Sequence, residues 1–143
     1  MNKLILSLLL ISIVVKGNPQ TSDRSEIEQV FKVSYVNAVF INFNEQAIRD
    51  GFYKDFQLHF QMKSPTGSMI KKVSLDEWIK MVASMKFANI DYKILEIFQS
   101  GNAATTISEI YQDGKRLYTD YLIWQKIDNK WVIMGKTFDT NRK

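Results

Sequence analysis

The sequence predicts an α+β domain in which helices cover one face of an antiparallel sheet. Three observations lead there. Between Asn89 and Asp139 lie four apolar or alternating runs, Asp91–Gln99, Asn102–Tyr111, Leu117–Lys126 and Lys130–Phe138. Turn residues separate them at Ser100–Gly101, Asp113–Gly114 and Asp128–Asn129, the pattern of a meander. Upstream, Ser25–Glu28 and Ser74–Glu77 each have the capping-box spacing ahead of an apolar run of helical period. The resulting order is helix, helix, strand, helix, then four strands, with no internal repeat, which is the α+β arrangement.

The chain begins with a short positive start, Met1–Lys3, followed by an unbroken run of apolar residues and serines from Leu4 to Val15. Small or permissive residues follow around Lys16–Gly17, with Pro19 beyond. Residues 1–17 therefore read as a signal peptide, and the run falls short of the roughly 20 apolar residues a membrane span needs. The expectation is an exported protein, periplasmic or secreted, with no membrane span once the signal is removed.

Residues 18–24 are polar and read as a flexible lead-in. Ser25 should cap a helix to about Asn42, with Ile27, Val30, Phe31, Ser34, Ala38 and Ile41 inward and Val33, Val36, Val39 and Phe40 widening the stripe. Asn44 can cap a short helix from Glu45 to about Tyr53. Phe56, Leu58, Phe60 and Met62 then alternate with polar residues, so 56–62 reads as a strand with one buried face. The lysine-rich stretch from Lys63 to Lys72 contains Ser64-Pro65-Thr66-Gly67 and reads as a turn with a solvated loop or edge. Ser74 caps a helix to about Met85, with Val73 and Trp78 placed as a hydrophobic staple and Trp78, Ile79, Val82 and Met85 inward. The domain is thus 25–139, with residues 140–143 a tail.

The chain has 143 residues, enough for one domain, and no cysteine, which excludes disulfides, thiol catalysis and thiolate metal sites. Its formal charge of +4 owes half its size to the signal: nineteen basic residues become seventeen against fifteen acids without Lys3 and Lys16. A residual charge of +2 with mixed signs offers no surface that tracks phosphates, so no nucleic-acid partner is expected. There is no phosphate loop, serine elbow or paired-histidine helix, and no metal or cofactor is expected.

His59 is the one histidine. It alternates with the phenylalanines and shares a face with Gln57 and Gln61, so it should point away from the core. Asp120 is the sharper candidate, because Tyr118-Thr119-Asp120-Tyr121-Leu122-Ile123-Trp124 is apolar on both faces near its middle. A carboxylate there is desolvated unless a cation pairs with it. Lys136 is the natural cation. A tight Asp128–Asn129 turn would set Lys126 opposite Trp131 and Asp120 opposite Thr137, placing Lys136 on the other face. A one-residue bulge would bring the pair together. Tyr35, Tyr53 and Trp124 complete the pocket candidates; Trp124 reads first as core.

The element order, Glu26-Ile27-Glu28-Gln29-Val30, the run Asp50–Asp55, and Tyr118–Leu122 with Lys126–Ile133 and Lys136–Phe138 resemble an NTF2-like domain. More narrowly, they resemble its SnoaL-like and putative lumazine-binding branch. The resemblance implies a cone, with a strongly curved antiparallel sheet wrapped around about three helices, a pocket at the wide end and a homodimer formed through the sheet. That branch often carries a Phe-His-Pro-Asp-like run where this chain has Phe52-Tyr53-Lys54-Asp55, so a usual acid–base residue is replaced. The reading that follows is an exported, non-catalytic binder of a small apolar or aromatic ligand or of a protein partner. The alternatives are a proton-transfer enzyme of the isomerase or dehydratase type with Asp120 as base and Tyr35 or Tyr53 as donor, and a homodimerisation module.

Overall fold

The structure is a computed structural model and describes residues 19–140. The expected signal peptide lies outside the described residues. Helix α1 (Pro19–Val30) continues into a π-helical segment, Phe31–Ile41, and is followed by α2 (Glu45–Gly51). Strands β1 (Phe52–Ser64) and β2 (Gly67–Ser74) form a hairpin, α3 spans Leu75–Ala83, and β3 (Ile90–Ser100), β4 (Ala103–Gln112), β5 (Lys115–Ile127) and β6 (Lys130–Thr140) form the meander. The six strands make one open sheet in the order β2-β1-β6-β5-β4-β3, antiparallel except for the β1–β6 pair. Register breaks in β1–β6, β3–β4, β4–β5 and β5–β6 curve it. The helices pack into the inner face, where Ile27, Phe31, Tyr35, Ile48 and Trp78 share one core with Leu58, Ile110, Leu122, Trp124 and Ile133.

The meander follows the sequence reading to within a few residues at each end. Its hairpins turn through left-handed residues: Asp113 and Gly114 at φ 51° and 73°, Asp128 and Asn129 at φ 48° and 61°. Two left-handed residues in a two-residue loop twist with the flanking strands. Helix α3 is also as predicted at its start, where Ser74 Oγ accepts from the Glu77 amide at 3.4 Å and Glu77 accepts from the Ser74 amide at 2.9 Å. Asn44 caps α2, accepting from the Ala47 amide at 3.0 Å. The lysine-rich stretch is the edge strand β2, with Met69 and Ile70 exposed.

Six expectations are corrected. The first helix is already formed at Pro19, the first described residue, so the stretch read as a lead-in is helical from there. Ser25 is therefore mid-helix and not a cap: its hydroxyl donates to the Ser22 carbonyl at 2.9 Å. In the second half, bonds run five residues back, as from the Asn42 amide to the Asn37 carbonyl at 2.8 Å. The wider turn directs Phe31, Tyr35 and Phe40 inward and leaves Val33 and Ile41 exposed, against expectation. Helix α2 stops at Gly51, so Phe52 and Tyr53 open β1, and α3 stops at Ala83, leaving Met85 exposed. Strand β6 runs one residue past the expected boundary, to Thr140.

Candidate functional site

The site is built where β5 and β6 change register. At the turn the pairing is tight, with Lys126 opposite Trp131. Farther along, Trp124 pairs with Ile133 but Ile123 pairs with Gly135, so Met134 is an extra residue. Beyond this bulge Leu122 faces Lys136 and Asp120 faces Phe138. The turn is tight and the strand is bulged, and the bulge puts Lys136 on the inner face with Asp120.

There they pair. Lys136 Nζ lies 2.6 Å from Asp120 Oδ1, an ion contact without a directed hydrogen bond. Tyr35, carried by the π-helical segment, donates its hydroxyl to Asp120 Oδ2 at 2.5 Å and accepts from the Lys136 ammonium. All three side chains are buried. The ammonium also lies 4.7 Å from the centre of the Tyr35 ring, 5.4 Å from Phe138 and 5.7 Å from Tyr118, so aromatic faces replace part of its hydration. Burial pushes the lysine pKa below its ordinary value, and the neighbouring carboxylate opposes that shift. Burial, reinforced by the charge of Asp120, pushes the Tyr35 phenol well above its ordinary value.

Lys136 is also the polar floor of a half-open apolar cavity of about 150 Å³. Val39, Phe40 and Trp78 form one wall, Leu58, Phe60, Tyr118 and Phe138 the sheet side, and Met81, Met85 and Phe87 the rim. Asp120 and Tyr35 do not line this cavity; they stand behind the ammonium and hold it.

Of the sequence candidates, Tyr35, Asp120 and Lys136 are therefore brought together. Tyr53 and Trp124 are not. Tyr53 lies half-buried next to Phe52, and it is Phe52 whose ring meets Tyr35, at 6.2 Å. Trp124 is fully buried core, donating its indole N–H to Thr106 Oγ1 at 3.0 Å. His59 lies on the outer sheet face, as predicted, in a shallow groove with Gln57, Tyr121, Ile123 and Met134. Sequence reasoning missed Met81 and Phe87, since Met81 sits on the outer part of α3 and Phe87 on the connection that follows it. Among the described residues no group of three metal-ligating side chains converges.

A family model described as putative lumazine-binding matches residues 21–139. Solved structures are similar in fold. An NTF2-like protein of unknown function from Shewanella baltica OS155 superposes with a TM-score of 0.74 at 14% identity, covering 89% of this chain and 100% of its own. One from Methylobacillus flagellatus KT gives 0.70 at 20% identity, covering 90% and 98%. A hexachlorocyclohexane dehydrochlorinase, LinA type 2, gives 0.59 at 9% identity, covering 86% and 88%. No curated protein matches the chain in sequence.

Proposed function

The chain belongs to the putative lumazine-binding family and has the NTF2-like fold, and from that premise we propose that it is a non-catalytic binder of a small apolar or aromatic molecule. One observation carries this reading: the cavity of about 150 Å³ has apolar walls and a single charged group at its floor. An engineered apolar cavity of about that volume takes up benzene. A single ring or a short branched chain suits this space, and the ammonium suits an oxygen or a π face at its deep end.

The same geometry argues against Asp120 as a base. A general base must reach the proton it removes. Asp120 is engaged by the Tyr35 hydroxyl and the Lys136 ammonium, and the lysine stands between it and the cavity.

Toluene, phenol, benzaldehyde and lumazine, titrated while Trp78 in the cavity wall reports by fluorescence, test the proposal. Saturable binding of a single-ring compound at micromolar to millimolar levels is expected. Val82 also lines the cavity, and Val82→Trp should abolish binding without unfolding the protein. No response from any of the four compounds would overturn the proposal.

Export is part of the same proposal and is supported by the pattern of residues 1–17. Intact mass of the protein recovered outside the cytoplasm tests it; a full-length chain retained inside would refute it. We propose that the partner is a second copy of the chain, docked through the outer sheet face, where Tyr121 and Ile123 are 44% and 57% exposed beside the His59 groove. Sedimentation at micromolar concentration should show a dimer that Ile123→Lys dissociates. A monomer throughout would refute this.

A further inference from the structure

We infer that Lys136 is a nucleophilic lysine that captures a small aromatic aldehyde in the cavity as a Schiff base. The inference rests on the cavity reading above and adds a covalent step to it. Four features of the site converge on this chemistry. Lys136 is the buried lysine among the described residues, and it lines the cavity. The ammonium is within 5.7 Å and 5.4 Å of the Tyr118 and Phe138 ring centres, and those rings are themselves cavity walls. A ring seated between them would bring a carbonyl substituent to the amine. Behind the amine, Tyr35 and Asp120 form a hydroxyl-to-carboxylate path for a proton. Desolvation also favours the free amine, the form that attacks a carbonyl carbon.

The step balances without a further reagent. The ammonium passes a proton to Asp120, directly or through the Tyr35 hydroxyl. The amine lone pair then forms the C–N bond while the carbonyl π electrons move to oxygen, which takes a proton. Loss of that oxygen as water, carrying the two protons the nitrogen gives up, leaves a protonated C=N bond. The positive charge thus remains where the lysine charge was, beside Asp120. Asp120 is either protonated or paired with the cationic nitrogen at each stage, so it is never left as an unpaired charge in the core. Among the titratable groups, Asp120, Tyr35 and Tyr118 face this nitrogen.

Reductive trapping tests the inference. The full-length mature protein is incubated with benzaldehyde and cyanoborohydride at neutral pH, and the benzylated lysines are located by peptide mapping. Lys136 should be modified first, about tenfold faster than the exposed lysines, because the cavity holds the aldehyde against its amine and burial favours the free amine. Toluene should slow modification at Lys136 and leave the surface lysines unchanged. Val82→Trp should do the same. Benzylation confined to surface lysines, in a protein that still binds toluene, would overturn the Schiff base and leave the binding proposal standing. Modification of Lys136 that neither toluene nor Val82→Trp slows would overturn the route through the cavity. Absence of both toluene binding and Lys136 labelling would overturn both proposals.

Discussion

Asp120 and Lys136 lie on neighbouring strands, sixteen positions apart, and their charged atoms meet at 2.6 Å in the protein interior. Such a pair stabilises little in itself, because desolvating both ions offsets their attraction. Removing one partner is different. Asp120→Asn leaves a buried ammonium without a countercharge, facing a neutral amide, the Tyr35 hydroxyl and aromatic faces, and should cost about 3–5 kcal/mol in urea unfolding. The triple change Tyr35→Phe, Asp120→Leu and Lys136→Met removes the whole polar cluster. It should recover most of that loss, and it should abolish any covalent capture. A triple variant no more stable than Asp120→Asn would show that the cluster is a net stabiliser.

Met134 sets that pairing. Inserting one alanine after Met134 keeps the bulge and slips every later pairing of β6 by one residue. Asp120 would then face Thr137, and Lys136 would move to the outer sheet face. The insertion should cost at least about 3 kcal/mol, since it strands a carboxylate in the core and misplaces Phe138 as well. Met134→Ala keeps the extra residue, and Met134 is only half-buried on its strand, so it should cost about 1 kcal/mol or less. Thermal unfolding of the two variants separates register from side-chain packing. Equal losses would contradict this.

The meander was readable because its signals are local. Alternation and paired turn residues occur within ten positions of one another, and the Ser74–Glu77 capping box within four. The bulge was not readable. Trp131-Val132-Ile133-Met134 is apolar at every position, so a slip of one residue leaves no break in the pattern. The same holds for Phe31–Ile41, where apolar residues on every side hide the change to five-residue spacing that aims Tyr35 at Asp120. The site depends on these two irregularities. Its residues could be nominated from sequence, but which of them meet is decided by long-range register and by a helix of unusual pitch.

Gly51 shows how closely the helices are fitted. A Cβ at this position would overlap Ser34 Cβ and Oγ and lie 3.1 Å from Val30 Cγ1. Its backbone is not in the left-handed region, so the constraint is space and not conformation. Gly51→Ala should destabilise by about 1–3 kcal/mol through overpacking. Adding Ser34→Gly vacates the volume and should restore part of the loss, despite the cost of glycine within a helix. Chemical denaturation of the single and double variants measures the coupling. A double variant showing only the sum of the two single losses would refute the contact.

Asp23 ties the first helix to the far end of the sheet, and its protonation should release that tie. Its carboxylate lies 2.5 Å from Lys126 Nζ and accepts from Trp131 Nε1 at 3.2 Å and from Gln99 Nε2 at 2.8 Å. The bond from Lys126, then that from Trp131, holds its pKa below the ordinary carboxylate value. The lowered value fixes the sign: the stabilisation is fully present above the unfolded pKa of about 3.9 and is lost as pH falls through the folded value. Hydrogen-exchange protection factors across α1, taken relative to the intrinsic rate at each pH, should therefore fall below about pH 4, before those of the β4–β5 amides. Asp23→Asn should show the faster exchange already at neutral pH and no further acid step in this helix. Lys126, whose pKa is raised chiefly by the same bond, contributes the opposite limb: its share is present below about pH 10.4 and is lost as pH rises through its folded value. Protection factors in α1 that do not change from pH 7 to pH 3 would show that the helix is held by its apolar face alone.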